Sequence, residues 1–450
     1  MIDRSQAPSA GTKIEFHLPD ITHIQLDSGL KILHVKKRNL PIVQLSFLIG
    51  AGSKRDPLDQ SGLSHLTAMM IDEGAGPYNA LQLDNEIEKL GSILSLSNNH
   101  DMLYVSMLTL KEHYERSLEL TSLVIRQPNL NEEDYQREFN KLKNKIIQMQ
   151  DEPSFIASTV FEKILLKDTY YERPNLGSLD SIKNLQLKDL KNFFTQYFSP
   201  DNTILIVVGD IDINELKESA NKYFSDWKTK FPETNTITSL ANSDKKIFLI
   251  NKPNSAQTEI RLGHNLKKRN NESYYPQVIL NSILGGQFSS RINLNLREDK
   301  GYTYGVNSSF NYYADAGLFR VATAVNIENT IDSVNEIFKE IDGVKNEIHD
   351  HEIEFTKSFL TKGFPSKFET YGQIASNLNT LVIHNLQDDY FNTYLENISA
   401  VTKEDIMKTA TESLHPEKMS IVLVGDSSAI KKQVDSKYEI VELDIEGNEL

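Results

Sequence analysis

Short apolar runs, some alternating with polar residues and some continuous, mark the strands of this chain: "LKILHV" (30–35), "MLYVSML" (102–108) and "ILIVVG" (204–209), then "KIFLI" (246–250), "LFRVATAV" (318–325) and "SIVLVG" (420–425). Between them lie longer stretches in which apolar residues return every three or four positions. "EEDYQREFNKLKNKIIQMQ" (132–150) and "IDSVNEIFKEIDGVKNEI" (331–348) are examples, and that period predicts amphipathic helices. Strands and helices interleave irregularly, so the expected class is α+β, a layer of helices on a mostly antiparallel sheet.

The pattern occurs twice. "LQLKDLKNFFTQYFSPDNTILIVVGD" (185–210) and "VTKEDIMKTATESLHPEKMSIVLVGD" (401–426) align without a gap at an offset of 216. Asp189/Asp405, Thr195/Thr411, Pro200/Pro416, Val208/Val424, Gly209/Gly425 and Asp210/Asp426 are identical pairs. Polar start, amphipathic helix, Pro-bearing turn, buried strand and Gly-Asp stop come in the same order, which implies two homologous α+β halves. Further upstream the echo is fainter: "IVQLSFLIGAG" leads into "LSHLTAMMIDEG", as "TEIRLGHNL" leads into "YPQVILNSILGG". The polar stretch 225–246, with Pro232, is the linker candidate; its boundary falls near Phe231 to Ser243, giving domains at 1–230 and 245–450.

Length and composition fit this picture. A chain of 450 residues with 39% hydrophobic and 25% charged content exceeds one ordinary core and is globular. A formal charge of -15 argues against a phosphate-wrapping nucleic-acid binder. The absence of cysteine excludes disulfides, thiolate metal sites and Cys nucleophiles. No run approaches the roughly 18 apolar residues of a membrane span, and "MIDRSQAPSAGTK" lacks the apolar core of a secretory signal. The expected address is cytoplasmic, or periplasmic if a leader has been removed.

"GLSHLTAMM" (62–70) resembles the H-x-x-E-H core of the pitrilysin, insulinase and mitochondrial processing peptidase family, the inverted zincins. "SFLIGAGSKRDP" before it, "IEKLGSILSLSNNHD" after it and "SPDNTILIVVGDID" closing the half strengthen the likeness, which spans nearly the whole chain. It implies a metallopeptidase clamshell-half fold. In active members two His one helical turn apart and a distal Glu hold zinc, and a Glu beside the first His takes the proton of the bound water. Here His65 matches the first ligand, Ala68 stands at the base and Met69 at the second ligand; Leu142 matches the distal Glu, with acidic Glu138 one turn away. A lone His with a thioether is a poor zinc site. His65 and Met69 are therefore expected to pack on a core-facing helix, and the chain to carry no zinc of its own.

The second half carries the counterpart. "LGGQFSSRINLNLREDKGYTYGVNSSF" (284–310) resembles the family's second signature, in which an Arg and a Tyr seven positions later reach the zinc site of the opposing half; residue by residue these are Arg297 and Tyr304. A guanidinium and a phenol are donors suited to a tetrahedral oxyanion. Their convergence requires a helix ending near Gly301 and a strand beginning by Tyr302, although Ile292, Leu294 and Leu296 alternate as in a strand. Gly285 and Gly286 are a weak phosphate-loop candidate and a better helix-capping or hinge turn by residue type; in the resemblance they would with Phe288 edge the substrate chamber. "IHDHEIE" (348–354) reads as a solvated helix start, since His349 and His351 at i and i+2 do not face one another on a helix. Ser289 and Ser290 lack the G-x-S-x-G elbow of a serine hydrolase.

The resemblance thus implies a zinc-lacking subunit of a two-chain peptidase. It would complete the site of a zinc-bearing H-x-x-E-H partner that acts on peptides, as a heterodimer, or stand as a homodimer if isolated. A scaffold of the same fold, like the core proteins of the respiratory bc1 complex, is the alternative. A third is a metal site rebuilt around Glu138 or the His349 cluster.

Overall fold

A computed structural model describes residues 14–231, 244–434 and 438–450. Twelve strands build two six-stranded sheets. The first half supplies β1 (Ile21–Gln25), β2 (Lys31–Lys36), β3 (Ile42–Ile49), β4 (Ile93–Asn98), β5 (Leu103–Leu110) and β6 (Thr203–Gly209). The second supplies β7 (Ile247–Asn251), β8 (Gln257–Lys267), β9 (Val306–Tyr312), β10 (Ala316–Asn326), β11 (Ser420–Gly425) and β12 (Ile440–Leu443). The linker candidate falls largely on 232–243, which lie outside the described residues.

The sheets share one plan. Their orders are β1-β2-β6-β3-β5-β4 and β12-β7-β11-β8-β10-β9, so five strands correspond one to one. Only β2/β6, β7/β11 and β7/β12 are parallel, and the remaining ladders are antiparallel. The sixth strand comes from opposite ends of the chain: β1 runs antiparallel to β2, whereas β12 runs parallel to β7. Buried and part-buried residues alternate along β5, which has one face on the core; β6 and β11, central and covered on both faces, are almost wholly apolar.

Eight helices position the site or join the halves: α1 (Leu63–Met70), α2 (Glu132–Gln150), α3 (Pro153–Leu165), α4 (Leu187–Tyr197), α5 (Asn271–Leu284), α6 (Asp350–Gly363), α7 (Tyr371–His384) and α8 (Lys403–Ser413). α4 and α8 stand 216 residues apart, the offset of the sequence echo, and each leads through a 3₁₀ turn, Pro200–Asn202 or Pro416–Lys418, into the buried strand.

The halves exchange helices. Ile156, Val160 and Phe161 of α3 pack on Leu318, Val422 and Val424 of the second sheet, while Ile374 and Leu378 of α7 pack with Val35, Leu48 and Ile206 of the first. Gly263 of β8 lets the first exchange close: a Cβ there would lie 1.9 Å from Phe319 O and 3.1 Å from Phe161 Cζ. Arg261 pins α3 to the same strand, donating to Ser158 Oγ at 3.0 Å and Ser154 O at 3.1 Å. A buried polar knot ties the halves elsewhere. Lys54 Nζ reaches Asp101 (2.7 Å) and Asp315 (3.3 Å), and Tyr171 OH donates to the same Asp101 at 2.8 Å. The lysine and the phenol hold the Asp101 carboxyl below its ordinary range against the desolvation of its burial.

Candidate functional site

The chain before α1 is fixed by Asp56, whose two carboxylate oxygens each accept a backbone N–H at 2.8 Å, from Gly62 and Ser64. These are unpaired donors of a helix start, so the carboxyl acts as a cap six to eight residues away in sequence. Burial, opposed by those N–H groups and by Arg173, pushes it up to about 7. Gly62 has φ +98° and abuts Leu176 O, where a Cβ would stand 2.7 Å away, so no other residue fits there without strain.

His65 projects from this helix toward Asn98 at the end of β4. Its Nδ1 lies 2.7 Å from Asn98 Oδ1, an atom that only accepts, so Nδ1 carries the proton and Nε2 keeps its lone pair. Asn98 is held in turn by Ser64 Oγ (3.1 Å) and Asn175 (3.0 Å). Burial and the neighbouring Lys145 ammonium lower the His65 pKa, against the Asn98 bond that raises it. The imidazole is thus neutral and oriented as a ligand would be.

The rest of a zinc set does not gather around it. Ala68 is buried and has no donor; Met69 packs partly buried against the first-half core; Leu142 of α2 is fully buried in the same core. Glu138 is buried and paired with Arg137 (3.1 Å) and Lys141 (2.6 Å). The side chain of α2 whose charge acts on His65 is Lys145, a cation. One imidazole beside a thioether and an ammonium does not fit Zn²⁺, which takes three or four nitrogen, oxygen or thiolate donors. Among the described residues no group of three or more His, Asp or Glu could hold a metal ion. Burial and mutual repulsion push Asp72 up to about 6 and Glu73 up to about 7, close to Glu138.

In the second half, 291–299 is helical despite its strand-like alternation: Arg291–Asn293 is one α-turn and Leu294–Asp299 a π-turn. Arg291 clamps it to Glu352 through two contacts of 2.6 and 2.5 Å. The helix ends before Gly301 (φ +67°), as expected, but the strand begins at Val306 rather than Tyr302. The intervening backbone is held nonetheless. Tyr302 N donates to Leu296 O at 2.9 Å and Thr303 Oγ1 to Ala324 O at 2.7 Å, so Tyr304 stands on an anchored turn with its side chain in solvent, 93% exposed. The Arg297 guanidinium stacks 4.2 Å over the ring of Phe288, itself 64% exposed, and its Nε lies 3.5 Å from Glu298 Oε1. Asn293 ties these pieces together, donating to Phe288 O at 2.5 Å and accepting from Val306 N at 3.2 Å. A Cβ on Gly285 would meet Ser308 Oγ at 2.6 Å, and one on Gly286 would meet Asn281 Nδ2 at 2.5 Å, so the turn before Phe288 needs its glycines for close packing.

His349 is the N-cap of α6 with extended backbone, not a helical residue, so its ring stacks on His351 at 5.5 Å and 11°; the helical-spacing argument against their meeting fails. Lys145, Asn98 and Asp56 carry no signal of their own in the sequence. Asp56 stands inside "SKRDP" and Asn98 inside "SNNHD", stretches that share in the family likeness but whose side-chain roles emerge only once α1 is placed.

Two family models match the chain: "Insulinase (Peptidase family M16)" over 31–179 and "Peptidase M16 inactive domain" over 184–360. A Bacillus subtilis protein described as "Uncharacterized zinc protease YmxG" is 22% identical over 89% of this chain and 97% of its own length. The "Non-peptidase homolog YmxG" of Helicobacter pylori is 22% identical over 80% of this chain and 83% of its own. The crystal structure of a peptidase M16 inactive domain from Pseudomonas fluorescens superposes with a TM-score of 0.85 at 24% identity, covering 91% of this chain and 98% of that one, a likeness of fold.

Proposed function

The chain belongs to peptidase family M16, and from that premise we propose that it is the zinc-lacking subunit of a two-chain metallopeptidase. Arg297 and Tyr304 would be lent to the zinc site of an H-x-x-E-H partner. The observation that carries this reading is the contrast between the two half-sites. His65 is bonded to the Asn98 amide and feels the Lys145 ammonium, with a thioether at the position of a second ligand, whereas Tyr304 is held out on a hydrogen-bonded turn with its phenol in solvent. In hydrolysis of a peptide, the partner's metal would polarise the carbonyl and supply the attacking water. This chain's guanidinium and phenol would donate to the oxygen as it gains negative charge, and neither would act as nucleophile.

The test is to mix the purified chain with a zinc-bearing relative from the same genome and follow cleavage of an unfolded peptide. Tyr304→Phe and Arg297→Ala are each expected to lower kcat about 10²-fold or more with the complex still assembled. Cleavage indifferent to both substitutions ends the assisting role.

A second reading, an inert scaffold of the same fold, is favoured by the description of the Helicobacter pylori relative as a non-peptidase homologue. It expects stable assembly and no catalytic effect of either substitution.

A further inference from the structure

A cavity of about 170 Å³ opens between α5, the edge strand β9 and α6, with Gly286 at its rim. Val278, Phe310, Tyr312, Phe359 and Leu360 form apolar walls. Most of its polar lining is already engaged: Tyr312 OH donates to Gln277 Oε1 at 2.5 Å, Gln277 Nε2 to Ser413 Oγ at 2.9 Å, and Ser308 Oγ to Asn281 Oδ1 at 2.8 Å. Ser282 Oγ at the floor has no partner among the described residues, but it is covered. A polar guest would give up water for few new bonds, since little beyond the Asn281 amide nitrogen stays open to it, so the walls favour an apolar one. The volume suits a single side chain. Apolar surface continues outside the mouth, where Phe355 and Phe359, one turn apart on α6, are 55% and 53% exposed. Phe288, under the Arg297 guanidinium, lies two residues beyond Gly286.

We propose that this cavity is a specificity pocket that takes one aromatic or branched aliphatic side chain of an extended peptide running past Phe288 toward Arg297 and Tyr304. The pocket deepens the assisting-subunit reading and rests on it for the direction of the peptide. It makes the zinc-lacking chain a selector of sequence as well as a donor of hydrogen bonds. An extended strand laid along β9 would turn alternate side chains to the pocket's face, which sets a period of two for the preference.

The test uses the isolated full chain, so it does not depend on any partner. Fluorescein-labelled, capped hexapeptides of Ala and Ser carry one guest residue, Phe, Leu, Ala or Glu, and binding is followed by anisotropy. The Phe and Leu peptides are expected to bind roughly tenfold or more tightly than the Ala peptide, and the Glu peptide no better than Ala. Phe359→Ala, at a half-exposed position, and Val278→Trp, which fills the cavity, should each abolish most of that ratio. Equal binding of all four peptides, or a ratio that survives Phe359→Ala, overturns the pocket. Cleavage by a mixed complex that ignores Arg297→Ala and Tyr304→Phe would instead overturn the assisting role, so the two failures are separable. Should Val278→Trp lose its native circular dichroism, Phe359→Ala alone decides.

Discussion

Nδ1 of His65 lies 2.7 Å from Asn98 Oδ1, and the charge that reaches the same imidazole from α2 is the Lys145 ammonium. The ring is therefore set in the ligand tautomer while its surroundings repel a cation. Met69→His together with Lys145→Glu would add a second nitrogen one helical turn away and a carboxylate in place of the ammonium. The double variant is expected to bind close to one zinc per chain by elemental analysis. A variant that stays metal-free would show that α1 and α2 do not converge on His65 as described.

The carboxyl of Asp56, pushed up to about 7 from near 4, makes stability fall as pH rises. Between about pH 4 and 7 the native chain holds a proton that the unfolded chain releases, so the slope of unfolding free energy with pH is negative, at most about 1.4 kcal/mol per pH unit for one such group. Asp72, raised to about 6, acts in the same direction. Urea melts at pH 5.5 should give higher midpoints than at pH 8, and Asp56→Asn should flatten that difference. Asp101 works oppositely: its lowered value adds stability at neutral pH that is lost only as pH falls through its folded pKa, below the ordinary carboxylate range.

Lys54 is 12% exposed and faces two carboxylates, Asp101 and Asp315. Lys54→Met leaves Asp101 buried without its cation, at a cost of about 3–5 kcal/mol. Restoring much of that loss with Asp101→Asn in the same chain would identify the stranded charge as the cause; additive losses would point to lost packing instead.

Because α3 and α7 each cover the other half's sheet, the two halves should unfold in one transition. Phe161→Ala is expected to cost about 3–5 kcal/mol and to lower that single transition rather than split it. Fragments 1–231 and 244–450 produced together should copurify, and each alone should aggregate. Two independent melts would refute the coupling.

The echo at offset 216 is legible in sequence because α4 and α8, the Pro turns and the buried strands β6 and β11 keep both their periods and their spacing. For α3 and α7, amphipathic spacing could at most mark a buried face. It does not reveal against which sheet, since Ile156 and Val160 would satisfy the same pattern on either one; the exchange is a tertiary fact. The strand-like alternation at Ile292, Leu294 and Leu296 misleads because a π-turn shifts the helical period locally. On α2, counting along the chain favours Leu142 as the counterpart of a distal ligand. Which residue faces His65 depends on how α1 and α2 cross, and Lys145 becomes visible only there. Arg297 and Tyr304 rest on family likeness for their roles; the anchored turn under Tyr304 adds a physical reason for a phenol to be kept outside.

The crossed helices have a mechanical corollary. A molecule whose two lobes are each roofed by a piece of the other cannot gape along its own midline without tearing apolar contacts on both sides at once. It would behave as one stiff jaw, and in the two-chain assembly proposed above a bulky client would have to enter by whole jaws parting rather than by this chain opening.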